Sequence, residues 1–528
     1  MPALTRPQGA ALVSLVRSAM RMYLTDRIDA KSVPRTAELK PLRNAPNAAA
    51  VTLRSRGAVV ALEIRDDGEL CLNVAAAALR AMRSSKLPDR VDRQVLDALT
   101  VEVEVLSPAR LVAREKLPSV MVRGLTGLAY SRRTATAPAG GGAAVARVLP
   151  SGAYVLGLDA DQMRRGAMSR FRLTSENAAR PARLEVFTSR HYVGFPDGRA
   201  VEMFRGKDLR RREGIGESAL AAAAGRIGEY LVRHQVADGR YSAGGLLGTP
   251  REQMTAACAM AKLARRRPSA PQFACSAAKA VAYGRGLVKV ADGRGLVAAD
   301  SPKDALAATA LLAMALSLTD TKGEAKALRR QLQAALAGAL AEAGATTATT
   351  RPTSAGAESY MAYYALAGGG GSSGMAPARL KELREGLSRA IPAGATARLW
   401  AYRAGIASAL PIGGSDGEGI VARPAGALPD EVGGYAVAGG EPSTTLTGLA
   451  AVCLARALRA DPSMAGPLPG RLAEARRFCY RMMYQPSEAY FEADRGAWQG
   501  AVRLVPGASL VSLPACAAGI EAALAGQG

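Results

Sequence analysis

Leu96-Asp-Ala-Leu-Thr-Val-Glu-Val-Glu-Val-Leu-Ser-Pro108 reads as a short helix running into a strand. From Val101 to Val105 apolar and acidic residues alternate strictly, the period of a strand with one apolar and one polar face. Further strand-forming runs lie on either side: Val51-Thr-Leu-Arg54, Ala58-Val-Val-Ala-Leu-Glu-Ile64, Arg147-Val-Leu149, Ala153-Tyr-Val-Leu156 and Ala182-Arg-Leu-Glu-Val-Phe187. Helical stretches at 9–24, 70–83 and 159–170 fall between them without a regular strand–helix alternation. Residues 1–210 are therefore expected to form an α+β domain rather than a doubly wound sheet. Thr134 to Gly142 reads as a flexible loop inside it.

Beyond residue 212 the strand patterns stop and the chain is expected to be all-α. Eleven helical segments are predicted near 217–235, 250–266, 269–284, 301–319, 322–344, 353–368, 376–390, 396–410, 443–459, 467–485 and 508–525. Thr249-Pro-Arg-Glu252 is a capping box with proline at the first helical position. Ser301-Pro-Lys-Asp304 has the same layout with Asp in place of Glu. Glycine-rich turns such as Gly368 to Gly374 separate helices, and the stretch from Arg210 to Gly216 reads as the linker. No repeat of fixed length recurs, so paired helices arranged as a ring of hairpins fit better than a common solenoid.

Composition narrows the class. The 528 residues are 49% hydrophobic but hold only 7 Phe, 15 Tyr and 2 Trp. Many alanines and few aromatics favour closely packed helices over a β-sandwich. The formal charge is +24, shared as +14 over 1–210 (34 basic, 20 acidic) and +10 over the remainder (35 basic, 25 acidic). Clusters such as Arg210-Arg211-Arg212 and Arg265-Arg266-Arg267 are short and not interleaved with aromatics, the pattern of a solvated arginine-rich surface. No apolar run is long enough for a membrane span. Arg17 and Arg21 break up the N-terminal segment, which reads as an amphipathic helix on Leu12, Val16, Ala19 and Tyr23. The cysteines Cys71, Cys258, Cys275, Cys453, Cys479 and Cys516 are scattered with no C-x-x-C pair, as expected for a reducing, cytoplasmic setting.

One stretch of the helical half is Gly228-Glu-Tyr-Leu-Val-Arg-His-Gln-Val-Ala-Asp-Gly-Arg-Tyr241. It resembles the repeat of the squalene and terpenoid cyclases through Tyr230, Leu231, Gln235, Gly239 and Tyr241. Fainter echoes are Ala291–Gly295, Gly433–Gly440 with the Pro442-Ser-Thr-Thr helix start, and Gly496–Arg503. Residues 215–528 thus resemble the α/α-toroid superfamily of terpenoid cyclases and protein prenyltransferases. The resemblance implies a helix end whose Gln ties the next turn and carries the stacked aromatic. The acidic Asp-x-Asp-Asp motif of cyclases is missing, as are the aromatic walls that stabilise carbocations. The prenyltransferase zinc set has no counterpart either, since His234 lies within the hairpin motif. Asp300, Asp430 and Glu431 remain as candidate catalytic acids; Asp304 reads as a first-turn helix residue.

The first half resembles the AMMECR domain family, also called AmmeMemoRadiSam system protein A. The likeness is carried by the opening helix Gly9–Leu24, by Leu72–Met82 followed by Leu96–Pro108, and by Val148-Leu-Pro-Ser151 with Pro181–Phe187. The family's Arg-Gly-Cys-Ile-Gly signature would fall near Val60–Ile64, with Leu62 in place of its cysteine, so this copy is degenerate. The acidic turn Asp66-Asp-Gly-Glu69 reads as a solvated hairpin turn.

These readings make the chain a non-catalytic scaffold holding a protein, peptide or apolar ligand in a toroid cleft, with no cofactor, no metal and no membrane span. The alternatives are a toroid enzyme acting on an isoprenoid or polysaccharide, which needs Asp300, Asp430 and Glu431 to converge, and nucleic-acid binding through the basic surface.

Overall fold

A computed structural model describes residues 4–25, 29–42, 45, 47–88, 91–132, 144–173, 175, 182–208, 215–319, 324–345, 354–368, 375–408, 410–412, 420–424, 427–461, 466 and 468–525. The loop 134–142, the Arg210–Arg212 cluster, most of the 210–216 linker and the glycine run 369–374 lie outside the described residues. The chain divides into two compact units, and the division is not a single cut. One unit comprises Met1–Glu213 together with Gln485–Gly496 and Gly507–Ser509; the other comprises Gly214–Tyr484, Ala497–Pro506 and Leu510–Gly528.

The first unit is α+β. Its elements are α1 (Arg6–Tyr23), β1 (Ala49–Ser55), β2 (Ala58–Arg65), α2 (Leu70–Ala81), α3 (Arg93–Ala98), β3 (Thr100–Leu106), β4 (Arg110–Leu111), α4 (Leu117–Val120), β5 (Thr126–Arg132), β6 (Ala144–Val148), α5 (Pro150–Leu156), α6 (Ala160–Arg170), β7 (Arg183–Gly194) and β8 (Ala200–Met203). The sheet is antiparallel, in the order β2-β1-β3-β7-β5-β6, with β4 and β8 also on β7. Leu12, Val16 and Ala19 of α1 and Val74 and Ala78 of α2 are buried in one core with Val101, Val103 and Val105. Ala153–Leu156, expected as a strand, is instead the body of α5. Pro150 fits the first helical turn, and Gly157 ends the helix at φ +64°, a left-handed conformation that costs glycine little.

The largest departure from a simple alternating strand is β3 itself, whose seven residues are all buried. The face opposite its valines carries Glu102 and Glu104, which are 1% and 2% exposed. Arg54 sits where the β1–β2 register shifts. Its Nε donates to Glu102, and its Nη1 donates to the Gly57 carbonyl at 2.8 Å. The His191 ring reaches the other Glu102 oxygen at 2.9 Å. Burial pushes the Glu102 carboxyl up, but Arg54 and His191 together hold it below its ordinary range.

The second unit is mainly helical: α7 (Glu217–Arg233), α8 (Pro250–Arg266), α9 (Pro271–Gly286), α10 (Pro302–Thr319), α11 (Glu324–Ala345), α12 (Ala357–Leu366), α13 (Pro377–Ser388), α14 (Gly394–Arg403), α15 (Thr444–Ala460), α16 (Leu468–Met482) and α17 (Leu513–Leu524). It is not all-α. Among the described residues four two-stranded ladders interrupt it: β9 (Ser242–Ala243) with β10 (Leu246–Leu247), β11 (Val288–Ala291) with β12 (Arg294–Val297), β13 (Ser354–Ala355) with β14 (Ile391–Pro392), and β15 (Ile420–Ala422) with β16 (Tyr435–Val437). Such ladders are too short for a strand period to show in sequence. Helix contacts run in a cycle from α8 to α10, α12, α14, α15, α17 and back to α8. Outside that cycle, α9 packs on α8, α11 on α10 and α12, and α16 on α15 and α17.

Three ladders are braced alike. The Tyr241 amide donates to Gln253 Oε1 at 2.7 Å, that of Val297 to Thr309 Oγ1 at 2.9 Å, and that of Tyr435 to Thr447 Oγ1 at 2.8 Å. Each acceptor lies twelve residues on, buried inside a helix of the cycle. The 228–241 segment holds its turn through Gln235, whose Nε2 donates to the carbonyls of Gly239 and Ser276, both at 2.9 Å. Gly239 has φ +94°, and a Cβ there would sit 2.3 Å from the Lys279 carbonyl oxygen. Tyr230, Leu231 and Tyr241 are buried. The Tyr241 hydroxyl is 3.0 Å from Ser276 Oγ, so Ser276 and Gln253 hold this aromatic by hydrogen bonds. His234 lies against the Tyr230 ring, with Nδ1 2.9 Å from the Tyr230 carbonyl oxygen.

Replacing Arg54 by Met would leave Glu102 buried with a weaker partner set. It is expected to destabilise the first unit by about 3–5 kcal/mol. The Arg54→Met/Glu102→Gln double variant should recover part of that loss, because no charge is then stranded. Urea denaturation of the three proteins measures both effects.

Candidate functional site

The helix cycle of the second unit encloses a cavity of about 460 Å³, within the size range of small-ligand pockets. Its apolar wall includes Leu311, Met314, Met361, Trp400, Leu446 and Leu449. The helices approach closely because their contact faces are rich in alanine and glycine. A Cβ at Gly448 of α15 would meet the Ala518 carbonyl of α17 at 2.6 Å.

The polar wall is organised by Glu521 on α17. Lys262 Nζ of α8 donates to one carboxylate oxygen at 2.5 Å, and Arg403 Nη1 of α14 lies 2.9 Å from the other. Arg403 is 5% exposed and its guanidinium stacks over the Trp400 ring, 4.5 Å from the centroid. Burial pushes the Glu521 carboxyl up, yet Arg403 and then Lys262 outweigh it and bring the pKa down to about 2. At the same wall Arg251 Nη1 donates to Asp304 Oδ1 at 3.1 Å. Ser301 also donates to Asp304 Oδ2, at 2.7 Å. These hydrogen bonds, from Ser301 and then Arg251, keep the Asp304 carboxyl below its ordinary range. Glu252 is engaged in its capping box with Thr249.

This arrangement can do little proton chemistry. A general acid must hold its proton near the working pH, and Glu521 is ionised throughout that range. Cys258 on the same wall is raised by burial and stays a neutral thiol. Burial likewise lifts Cys453, Cys479 and Cys516 to about 12.

The acids singled out from sequence fall elsewhere. Asp300 is exposed in the turn before α10, outside the lining of this cavity. Asp430 is fully buried in the turn leading to β16, and Glu431 beside it lies 3.8 Å from Arg423 Nε. Neither lines the cavity; Asp304 does, as a helix-start residue with an arginine partner. Sequence reading missed Glu521, Lys262 and Arg403. They lie in three helices far apart in the chain, and only the closing of α8, α14 and α17 on one another brings them together.

In the first unit, Leu62 lies on β2 and is 36% exposed. The acids of the 66–69 turn are paired: Asp66 with Arg147, Asp67 with Arg65 and Glu69 with Arg35. Among the described residues no helix is long and apolar enough to cross a membrane.

No protein-family model matches the chain, and no curated protein matches it. Among solved structures it is similar to an uncharacterized protein from Pyrococcus horikoshii. That match has a TM-score of 0.31 and 19% identity, and covers 38% of this chain and 98% of that one.

Glu521 fixes a pH dependence. Its folded pKa of about 2 lies below the ordinary 4.5, so its contribution is present above the ordinary value and fades as pH falls through the folded one. That contribution is up to roughly 3 kcal/mol. In denaturant melts, the stability difference between wild type and Glu521→Gln should shrink as pH drops from about 5 to about 2. A constant difference over that window would show that Glu521 is not held by its two cations.

Proposed function

We propose that the chain is a cytoplasmic, non-catalytic binding protein in which a degenerate AMMECR-like domain is joined to an α/α toroid of the terpenoid cyclase and prenyltransferase kind. Its second unit takes up a neutral, apolar ligand in the central cavity. The observation that carries this reading is the wall chemistry. Its charges balance, Arg251, Lys262 and Arg403 against Glu252, Asp304 and Glu521, with Lys262–Glu521–Arg403 and Arg251–Asp304 paired directly. The rest of the lining is mainly Leu, Met, Trp and Ala with neutral hydroxyls such as Thr255 and Thr396 between them. A charged ligand would have to break one of these pairs and desolvate its own charge; an apolar ligand only displaces water. The closed succession of helix contacts and the hairpin built on Gln235 support the toroid. The replacement of the family signature around Leu62 supports the degenerate first domain. The ionised state of Glu521 weighs against a cyclase acid, and the presence of one aromatic, Trp400, on the wall weighs against a carbocation cavity.

The test is displacement of a neutral fluorescent probe, N-phenyl-1-naphthylamine, by farnesol and by a straight-chain C12 alcohol. Binding with a single site is expected, weakened at least about tenfold in Thr255→Trp, which places a large ring in the cavity, while circular dichroism stays unchanged. No probe binding by the wild type, or equal binding by the folded Thr255→Trp variant, would remove the reading.

A further inference from the structure

The first unit holds a second cavity, of about 430 Å³, which the helical ring does not share. It lies against the strand face that buries Glu102 and Glu104. These two carboxylates, two residues apart on β3, are treated very differently. Glu102 is held by Arg54 and His191. Glu104, just as buried, has no cationic side chain within ion-pair distance among the described residues. Its partners are two hydroxyls: Ser151 donates to Oε1, and Ser189 donates to Oε2 at 2.7 Å. The Arg54 guanidinium acts on Glu104 only from beyond ion-pair distance, being paired with Glu102, and a buried carboxylate with no cation against it is uncommon. Both serines line the cavity.

With their hydrogens turned to Glu104, Ser151 and Ser189 present oxygen lone pairs to whatever fills the space. That part of the wall accepts hydrogen bonds and lies over the Glu104 carboxyl group, a setting for a ligand ammonium group. The rest of the wall has the opposite sign. Arg6 and Arg190 line it against one carboxylate, Glu202, and Arg205, which has interactions of its own, lies beside them. Arg190 takes Glu202 at 2.6 Å, leaving Arg6 4.0 Å away and largely in solvent. Arg205 is 3% exposed and sits at φ +48°, a left-handed conformation that a non-glycine residue adopts at a cost.

We infer that this cavity is a binding site for a small zwitterion, its ammonium received by Ser151, Ser189 and Glu104 and its phosphate or carboxylate by Arg6 on the arginine wall. The site lies in a different unit from the apolar cavity, so its failure would leave the reading of that cavity untouched. The serine wall accepts from an ammonium, whereas on the other wall Arg190 already spends its guanidinium on Glu202 and the Leu4 carbonyl and the anionic end is met by Arg6; neither half alone satisfies a ligand with both charges.

Isothermal titration of the full chain with O-phosphoethanolamine and with γ-aminobutyrate tests this and separates the two anion types. One-site binding of either is expected, with ethanolamine and inorganic phosphate each binding at least about tenfold more weakly. Glu104→Gln should weaken zwitterion binding at least about tenfold, and the solvent-facing Arg6→Ala should weaken it by a smaller factor. If Glu104→Gln does not fold, Ser189→Ala takes its place with the same expectation. Binding of neither zwitterion, equal binding of the singly charged probes, or unchanged binding in folded variants would overturn the proposal.

Discussion

A carboxylate removed from water must find its compensation within the fold, and this constraint organises both units. In the second, Glu521 draws Lys262 from α8 and Arg403 from α14 onto α17. Three members of the helix cycle are thereby tied at one point beside the cavity. In the first, Glu102 draws Arg54 from β1 and His191 from β7 onto β3, which fixes the central strands in register. Pairs of this kind contribute modestly to net stability, because the desolvation of both partners opposes the attraction. They act mainly by making alternative packings costly, since any rearrangement strands a charge.

Between these fixed points the packing is made by small side chains. Gly448 of α15 lets that helix approach α17 to a distance at which even a methyl group would collide, and alanines line the buried faces of α8, α15 and α17. Close approach leaves little room for large aromatic walls, and the cavity accordingly carries one tryptophan among leucines and methionines. The shortage of aromatics and the apolar, charge-balanced cavity are thus two aspects of the same way of packing helices.

Much of the architecture was legible in the chain. Thr249-Pro-Arg-Glu252 announces the start of α8 because its capping box is a local interaction. Val101 to Val105 announces β3 because its period is local as well. The exchange of Ala153–Leu156 from strand to helix follows from a local signal too, Pro150 before it and Gly157 after, which outweighs the β-branched and aromatic residues between. The four short ladders of the second unit gave almost no signal, being two to four residues long. The braces Gln253, Thr309 and Thr447 offered a faint one: a polar residue in the first half of a helix, twelve positions beyond the amide from which it accepts.

The sites were another matter. Asp430 and Glu431 stood out because they precede a Gly-Gly-Tyr loop, and Asp300 as a remaining acid of the helical half, yet the fold puts Asp300 in solvent and the other two in a turn away from the cavity. Glu102, Glu104 and Glu521 looked ordinary, since an acid at a polar strand or helix position is normally hydrated. Where the long helices and the strand β3 begin can be read from the chain alone, because caps, prolines and periodicity act over a few residues. Which carboxylates lose their water is settled by the packing. Desolvation depends on what arrives from far along the chain, and the groups that answer it lie 48 residues away for Arg54 and 259 for Lys262.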